Sequence, residues 1–337
     1  NIKNTYYFRM KVLIVSNECN RPNRIGNPII GRLLSCLNES PHISQASFCP
    51  FSNRLSDFAT IRKTSKSYDV IHIQFGGLYA FLIYFSLLGV KKPKVLTFHG
   101  TDIHAKEILS SKSKATKLKI WMSQKASFCS IILFDKLGFV SNTLYAYIPS
   151  FISKRYCSKF FIQPLGVDYK TFVPFSKEKA CGILNIPIGK YVLFSDKSGT
   201  ILKRRDLAEL IVKSIGGEYQ LLVMCGVRPE MVPVYINASD FVLLTSDEEG
   251  SPNITREALS LNKRVFSVDV GDVKQQLEGL HNSAIISRIP KEAAKTIKQK
   301  LSEEYIDNTR FSLQNRIDFA KIVEKLVLVY KELLMDK

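Results

Sequence analysis

The chain has 337 residues, of which 45% are hydrophobic and 23% charged, a composition that excludes a disordered chain and leaves room for two domains. Its net charge of +18 is unevenly spread: residues 1–165 hold 23 Lys and Arg against 7 Asp and Glu (+16), whereas residues 166–337 hold 25 against 23 (+2). The N-terminal half is therefore expected to face something anionic, such as a membrane leaflet, a phosphorylated acceptor or nucleic acid.

Residues 1–9 are polar and aromatic, and an apolar segment begins only after Met10. We therefore expect no secretory signal, a natural start at Met10 and a cytoplasmic protein. The seven cysteines include no Cys-x-x-Cys pair and the five histidines form no cluster, which predicts reduced, mostly buried thiols and no zinc site. The longest apolar run, residues 78–90, is shorter than the roughly 20 residues that span a bilayer, so it predicts a buried helix.

Short apolar runs bounded by turn residues recur along the chain and alternate with helical stretches. The predicted strands are 11–15, 70–73, 94–98, 130–134, 137–141, 191–195, 219–224, 241–244, 264–268 and 284–288. The predicted helices are 28–38, 78–89, 106–127, 203–214, 252–262 and 291–304. Apolar runs without alternation suit parallel strands buried on both faces, so the pattern predicts two doubly wound, Rossmann-like α/β domains.

The domain boundary is predicted in the segment FIQPLGVDYKTFVPFS, which contains Pro164, Gly166 and Pro174. The predicted domains are 1–165 and 166–313. Residues 314–337 have the spacing of an amphipathic helix, which we expect to pack on a domain surface.

An acidic segment, TSDEEGSPNITREALS, follows the predicted strand at 241–244. Gly250 permits a tight bend, Ser251 is predicted to cap a helix, and Pro252 suits the first helical position. This arrangement places Glu249 on the loop and Glu257 about one and a half turns into the helix.

The start of this helix has free backbone N–H groups, which bind anions. A ligand with a phosphate in the middle and hydroxyls at both ends, such as a nucleotide-sugar, would match the layout. The alternative is a solvated acidic loop before an ordinary capped helix.

Two further loops follow predicted strands, and ligands bind at the carboxyl ends of strands in open parallel sheets. One carries His99 and Asp102, and the other carries Gly26. With two domains facing each other, these loops and the acidic segment would converge on one cleft.

These segments resemble the GT-B glycosyltransferases and, more narrowly, the retaining enzymes of family 4. The resemblance extends from Met10 over nearly the whole chain. It rests on DVIHIQFG, TFHGTDI, QPLGVDYKTF, VLFSDKSGTILKRRDLAEL and ASDFVLLTSDEEGSPNITREALSLNKRVFSVDVGDV, in that order. The last motif is the most specific, because SPN lies between two glutamates with seven residues between them. The resemblance implies the GT-B fold, two Rossmann-like domains facing across a cleft.

The resemblance implies a retaining glycosyltransferase whose C-terminal domain binds a nucleotide-sugar, with a UDP-sugar favoured. It would act on a hydroxyl of a saccharide or lipid-linked acceptor in surface polysaccharide or glycolipid synthesis. Glu249 would bind the hydroxyls of the donor sugar, and Glu257 those of the ribose. Backbone groups at the helix start would hold the sugar and the diphosphate: Gly250, Ser251, Pro252, Asn253 and Ile254.

On the N-terminal side, the resemblance implies that His99 lines the donor sugar from the opposite domain and that Asp102 supports the His99 loop. Gly26 would let the first loop approach the diphosphate.

The phosphate-binding cations of the family correspond to Lys197 and Lys203 here, where an Arg is usual at the first position. Lysine supplies charge but not a bidentate fork. Because Arg204 and Arg205 follow at once, the contacting cation is open, and we favour Lys203. The alternative is a solvated helix start over 203–205.

The base is expected to lie near residues 225–235, with Arg228 a candidate contact; an ordinary connecting loop is the alternative.

No cofactor and no metal are expected, because two lysines and a helix start can stabilise the charge on the leaving diphosphate. We interpret the DVGD segment at 269–272 as loop structure rather than a metal site. Two other functions stay open: a sugar-nucleotide epimerase of the same architecture, and a basic non-catalytic binding protein. A nucleic-acid partner is not expected, because the aromatics form no known nucleic-acid-binding motif and the cleft would carry carboxylates.

Two basic segments, 112–125 and 143–160, mix lysines with aromatic side chains such as Trp121. This combination is typical of a membrane surface. We therefore expect the N-terminal domain to dock peripherally on an anionic membrane at its cytoplasmic face. The alternative is a pair of ordinary amphipathic helices.

Overall fold

The computed structural model describes residues 9–16, 28–52, 54–100, 102–103, 113–196, 201–306, 310, 313 and 316–335. Its contacts divide the chain into two compact units. The N-terminal unit comprises Asn1–Pro164 with Ala320–Lys337, and the C-terminal unit comprises Leu165–Phe319. None of the helices in the described residues combines the length and the apolar character of a membrane span.

Strands and helices alternate through the N-terminal unit. They are β1 (Met10–Ser16), α1 (Pro28–Glu39), β2 (Ile43–Pro50), α2 (Leu55–Ser65), β3 (Val70–Gln74), α3 (Leu78–Ser86), β4 (Lys94–Phe98), α4 (Lys114–Leu133), β5 (Lys136–Phe139), α5 (Ser150–Tyr156) and β6 (Phe160–Ile162). The strands form one parallel sheet in the order β2-β1-β3-β4-β5-β6. Nearly all side chains of β1, β3 and β4 are buried, which explains their unbroken apolar runs.

The C-terminal unit repeats the alternation. Its elements are α6 (Lys177–Leu184), β7 (Lys190–Ser195), α7 (Arg205–Ile215), β8 (Tyr219–Met224), α8 (Val232–Ala238), β9 (Phe241–Leu244), α9 (Asn253–Ser260), β10 (Arg264–Ser267), α10 (Val273–Gln276), β11 (Ala284–Ile285) and α11 (Pro290–Ser302). The strands form a second parallel sheet in the order β11-β10-β9-β7-β8. The predicted α/β class with parallel sheets is confirmed.

Each sheet has a point at which the strand order reverses. In the N-terminal unit the chain adds β2 on one side of β1 and β3 on the other. In the C-terminal unit it adds β8 on one side of β7 and β9 on the other. Loops leaving such a strand pair diverge and open a crevice at the carboxyl ends, where ligands of open α/β sheets bind.

The last helix, α12 (Phe319–Met335), belongs to the N-terminal unit from Ala320 onwards. Residues three or four apart form its buried stripe, as an amphipathic helix requires. The buried side chains include Val323, Leu326, Val327, Tyr330 and Leu333.

Two predicted strands are wrong wholly or in part. The run at 130–134 is not a strand, because Ser130–Leu133 forms the last turn of α4. Ile131 is buried while Ile132 is 49% exposed, which fits a helix lying on a core as well as a strand. The strand predicted at 284–288 is limited to Ala284 and Ile285. The predicted elements also lack β2, α2, α5, β6, α6, α8 and α10. The first residues of the helix predicted at 106–127 lie outside the described part of the chain.

Two predictions of burial are also wrong. The apolar segment at 78–90 is not a buried helix: α3 exposes Leu82 and Phe85 by 42% and 45%, and its buried residues, Ala80 and Ile83, lie on one side of the helix. The thiols are not mostly buried, since Cys129, Cys157 and Cys225 are exposed.

Candidate functional site

The loops after β7 and β9 meet at the strand-order reversal of the C-terminal unit. The first ends in a short 3₁₀ turn, Ile201–Lys203, and the second is the acidic loop, residues 245–252. The Asp247 N–H donates to the Leu202 carbonyl at 2.8 Å, and the Thr245 hydroxyl donates to the Lys203 carbonyl at 3.0 Å. One backbone and one side-chain hydrogen bond therefore hold the turn Ile201–Lys203, called the lysine turn below, against the acidic loop.

The side chains of Lys203 and Glu249 form an ion pair between these two loops. Lys203 Nζ lies 2.5 Å from Glu249 Oε1, and the Ser246 hydroxyl donates to the same oxygen at 2.9 Å. The two side chains are 25% and 15% exposed, so the pair is partly screened from water but open to a ligand. The structure thus brings together the cation and the carboxylate that the sequence placed in the site.

Arg204 and Arg205 have other carboxylate partners, and Arg204 also contacts the acidic loop, where its Nη1 lies 3.4 Å from Asp247 Oδ1. The Arg204 guanidinium donates to both oxygens of Asp206, and Arg205 Nε lies 2.8 Å from Glu209 on the exposed surface of α7. Of these three cations, Lys203 is the one whose side chain forms the ion pair with Glu249.

The acidic loop leads into α9, whose N-cap is Pro252 rather than Ser251. The prediction of a Ser251 cap is therefore wrong. The Ser251 hydroxyl instead donates to Asp272 at 2.6 Å and accepts from Arg256 Nη1 at 2.7 Å. The cause is the buried Arg256, which lies one turn into α9 and competes for this oxygen.

Arg256 ties the start of α9 together from inside. Its guanidinium is 3% exposed, donates to the Ser251 carbonyl and to Asn253 Oδ1, both at 3.1 Å, and lies 3.8 Å from Asp272. Burial lowers the pKa of Arg256, and the charge of Asp272 opposes that shift. These contacts fix the backbone that runs from the acidic loop into the helix.

The segment at 269–272 supports the acidic loop from the other side. Gly271 has φ +57°, and a Cβ there would lie 2.8 Å from the Gly250 carbonyl and 2.9 Å from the Glu249 carbonyl. Asp272 accepts hydrogen bonds from Ser251 and from Gln276. The close packing leaves space only for glycine at this position.

Replacing Gly271 with Ala is therefore expected to destabilise the protein and displace the acidic loop. Gly279 has φ +76°, but a Cβ at that position would have no described atom within 4 Å, so Gly279→Ala carries the backbone cost alone. That cost is about 1–2 kcal/mol. In thermal unfolding, Gly271→Ala should lower the free energy of unfolding by at least about twice as much as the Gly279→Ala control does. Equal losses in the two variants would contradict the packing described.

The remaining predicted residues of the C-terminal unit are placed as follows. Glu257 lies in the second turn of α9 and is buried, with 8% exposure. Ile254 is also buried. Arg228 is largely exposed and pairs with Glu230 at 3.3 Å. Lys197 lies outside the described residues.

In the N-terminal unit, the loop after β4 is organised by Asp102. Its carboxylate accepts backbone hydrogen bonds from Gly76 at 2.6 Å, from His99 at 3.0 Å and from Gly100 at 2.8 Å. Burial raises the pKa of Asp102, while these N–H groups act to lower it. Asp102 therefore joins the loops after β3 and β4. Gly26, predicted for the loop after β1, lies outside the described residues.

The His99 ring is held on two sides. It stacks on Phe75 with centroids 3.9 Å apart, and its Nε2 lies 2.9 Å from the side-chain carbonyl of Gln74. Burial lowers the pKa of His99 to about 3, so the ring is neutral at physiological pH. Within the described part of the chain, Nδ1 is buried and has no hydrogen-bond partner. One ring nitrogen is thus left without a described partner, so its hydrogen-bonding capacity is unused.

Among the described residues, no group of three or more His, Cys, Asp or Glu side chains could hold a metal ion. The expectation that no metal takes part stays a prediction.

Sequence reasoning missed Arg256 and Arg288. Arg288 Nη1 lies 2.7 Å from Asp247, and Nη2 donates to the Ser246 carbonyl at 3.0 Å, so Arg288 holds the acidic loop. For Arg256 there was a signal, because a charged side chain beside Ile254 and Ala258 falls on the buried side of α9. For Arg288 the sequence held no such signal, since this residue lies in a loop 41 residues after its partner Asp247.

No family model matches this sequence, and no curated protein is detectably similar to it in sequence. The structure is similar to sucrose-phosphate synthase from Thermosynechococcus elongatus, with 15% identity, a TM-score of 0.67 and coverage of 98% of this chain and 100% of the other. It is similar to Anabaena Alr3699/HepE in complex with UDP-glucose, with 13% identity, a TM-score of 0.72 and coverage of 96% and 100%. It is also similar to a glycosyltransferase from Rickettsia africae ESF-5, with 12% identity, a TM-score of 0.70 and coverage of 98% of this chain and 100% of the other. At these identities the likeness concerns the fold, and the chain has the GT-B fold that its motifs predicted.

Proposed function

We propose that this protein is a retaining glycosyltransferase of family 4. It transfers a sugar from a nucleotide-sugar, preferably a UDP-sugar, to a hydroxyl of a saccharide or lipid-linked acceptor in surface polysaccharide or glycolipid synthesis. The observation that carries the proposal is the pair of Lys203 and Glu249, held at the strand-order reversal beside the start of α9. A cation, a carboxylate and free helix N–H groups are what a sugar diphosphate requires.

The pair suggests how the ligand enters. A diphosphate competes with Glu249 for Lys203, because phosphate carries more charge than one carboxylate. Once Lys203 turns to the phosphate, Glu249 Oε1 is free to accept hydrogen bonds from sugar hydroxyls. The same ion pair thus keeps both groups in place before the donor arrives.

Breaking the anomeric C–O bond leaves negative charge on the diphosphate and positive charge on the sugar ring. In this proposal, the negative charge on the diphosphate is stabilised by Lys203, Lys197 and the start of α9. In the same proposal, Glu249 binds the hydroxyls of the donor sugar and Glu257 those of the ribose. Retention follows from attack of the acceptor hydroxyl on the same face as the leaving diphosphate, whose oxygen takes the hydroxyl proton as the anomeric C–O bond breaks. No metal is required in this scheme.

UDP is the favoured nucleotide, since HepE was solved with UDP-glucose. The test is a thermal-shift screen with UDP-, GDP- and ADP-sugars. A ligand at about 100 times its dissociation constant stabilises the folded state by about 2.7 kcal/mol, which raises the melting temperature by roughly 5 °C or more. A shift with UDP-sugars alone is expected. No shift with any nucleotide-sugar would contradict the proposal.

The comparisons do not favour the two alternatives, the epimerase and the basic non-catalytic binding protein. Incubation with donor alone separates the epimerase from the transferase: an epimerase converts the donor, whereas a transferase slowly releases free sugar.

The N-terminal unit is also proposed to bind an anionic membrane surface. α3, α4 and α5 pack in succession and expose large apolar side chains. Lysines and an arginine lie among them on α4 and α5. The exposed side chains include Leu82, Phe85, Leu118, Trp121, Met122 and Phe151. Apolar side chains can enter the headgroup region while cations bind anionic lipid.

The double variant Trp121→Ser/Phe151→Ser is expected to bind anionic vesicles about tenfold less tightly, because two side chains that are 49% and 73% exposed no longer enter the lipid. Sedimentation with phosphatidylglycerol vesicles at low salt measures the change. Ile188→Ser is the control, since Ile188 is 67% exposed but lies in the C-terminal unit. Equal binding of the wild type to neutral and anionic vesicles would contradict docking.

A further inference from the structure

A buried chain of polar side chains connects α12 to the His99 ring. The Tyr330 hydroxyl lies 2.5 Å from His72 Nδ1. His72 Nε2 lies 2.9 Å from the Gln74 side-chain amide nitrogen, and His99 Nε2 lies 2.9 Å from the Gln74 side-chain oxygen. Tyr330 and His72 are fully buried, and Gln74 is 1% exposed. All four residues belong to the N-terminal unit.

Gln74 bridges two imidazoles through unlike ends. A carboxamide donates from its nitrogen and accepts at its oxygen, and a neutral imidazole donates from one ring nitrogen and accepts at the other. One of the two Nε2 atoms must therefore carry a proton while the other does not. Turning the carboxamide by half a revolution reverses both rings together, so His72 and His99 cannot choose their tautomers independently.

Both imidazole rings are neutral at physiological pH. Burial lowers the pKa of His72 to about 3, and the neighbouring His99 lowers it as well. Burial alone lowers the pKa of His99 to about 3. At physiological pH, each ring therefore has one N–H and one bare nitrogen.

Tyr330 makes the two arrangements unequal. In one of them its hydroxyl donates to a bare Nδ1 of His72, and in the other it accepts from Nδ1–H. A buried hydroxyl proton that lacks an acceptor is destabilising, so the two arrangements differ in free energy. Thr97, whose hydroxyl lies 2.7 Å from His72 Nε2, is the second group that discriminates between the arrangements.

We propose that Tyr330, His72 and Gln74 are positioning residues that set whether His99 Nδ1 presents a proton or a lone pair to its ligand. This inference rests on the proposed function for the ligand's identity, a sugar hydroxyl, but the tautomer coupling does not depend on it. The Nδ1 atom, which is buried and has no hydrogen-bond partner among the described residues, is where the coupling reaches the ligand: a bare nitrogen accepts from a hydroxyl, whereas an N–H donates to its oxygen. The last helix thereby acts on the chemistry of a loop that it does not need to touch.

The test is a long-range proton–nitrogen NMR spectrum of the ligand-free protein labelled with [¹⁵N]histidine, in which protonated and bare ring nitrogens resonate far apart. Loss of signals in His72→Ala and His99→Ala assigns the two rings. We expect His72 and His99 to carry their protons on opposite nitrogens. We further expect Tyr330→Phe to shift the ring signals of His99 as well as those of His72.

Gln74→Met provides the decisive background, because it removes both ends of the bridge while keeping a side chain of similar length. In that background, Tyr330→Phe should still shift His72 and should leave His99 unchanged. Tyr191→Phe is the matched control, since it also removes the hydroxyl of a buried tyrosine, whose acceptor is the Pro187 carbonyl at 2.8 Å, but in the C-terminal unit. It should move neither ring.

The same tautomer on both rings would overturn the inference. Unchanged His99 ring signals in Tyr330→Phe, with Gln74 in place, would overturn it as well. Since no ligand is present, these outcomes are independent of whether the protein transfers sugar. Failure of the proposed function would instead show as absence of nucleotide-sugar binding with the coupling intact.

Discussion

Replacing Glu249 with Gln is expected to lower kcat for sugar transfer by about 100-fold or more, the loss seen when one preorganised polar contact to a transition state is removed. The amide keeps the shape of the carboxylate but loses the charge that favours positive charge on the sugar ring. The melting temperature should change little, because the Lys203–Glu249 pair is partly exposed. Release of the nucleoside diphosphate in the presence of acceptor measures the rate.

Glu209→Gln is the matched control for this experiment. Glu209 also pairs with a cation, Arg205, but both side chains are 53% exposed on α7. It should keep the wild-type rate. A Glu249→Gln variant with kcat within about threefold of the wild type would show that this carboxylate is not part of the reaction, because that ratio corresponds to less than about 1 kcal/mol.

Replacing Arg256 with Met is expected to destabilise the protein by about 3–5 kcal/mol, which lowers the melting temperature by roughly 10 °C. The methionine fills similar space but leaves the Asp272 carboxylate buried without its cation, and it removes the hydrogen bonds to Ser251 and Asn253. Nucleotide-sugar affinity should also fall, because the start of α9 is no longer held.

The double variant Arg256→Met/Asp272→Asn tests the cause. Asparagine is neutral, so the buried charge disappears and part of the lost stability should return; the two effects should not add. Arg205→Met, on the exposed side of α7, should change the melting temperature by only a degree or two. A loss of under about 1 kcal/mol in Arg256→Met would mean that the acidic loop is held by other contacts.

The sequence identified the parallel strands that are buried on both faces, because long apolar runs are rare outside such cores. The predicted strand at 241–244 and β9 have the same bounds. It missed β2, whose residues alternate irregularly between buried and exposed, because that strand lies at the sheet edge and needs no continuous apolar run. It mistook 130–134 for a strand, since a short apolar run looks the same in a helix.

In the candidate site too, only the features that depend on neighbouring residues could be predicted from the sequence. Glu249 and Lys203 could be found because each stands beside a strand end and a helix start, which are local features. The supports of the site come from distant parts of the chain: Asp272 bonds Ser251 across 21 residues, and Tyr330 bonds His72 across 258. No spacing rule links residues so far apart, so these roles appear only in the folded chain.

The lysine turn and the start of α9 are proposed to bind the diphosphate of the donor. Titration calorimetry with UDP and with uridine, on the wild type and on Lys203→Met, tests it most directly. UDP should bind the wild type at least about tenfold more tightly than uridine does, which corresponds to about 1.4 kcal/mol, and Lys203→Met should lose most of that difference. Equal affinities of UDP and uridine for the wild type, or an undiminished preference for UDP in Lys203→Met, would contradict the account.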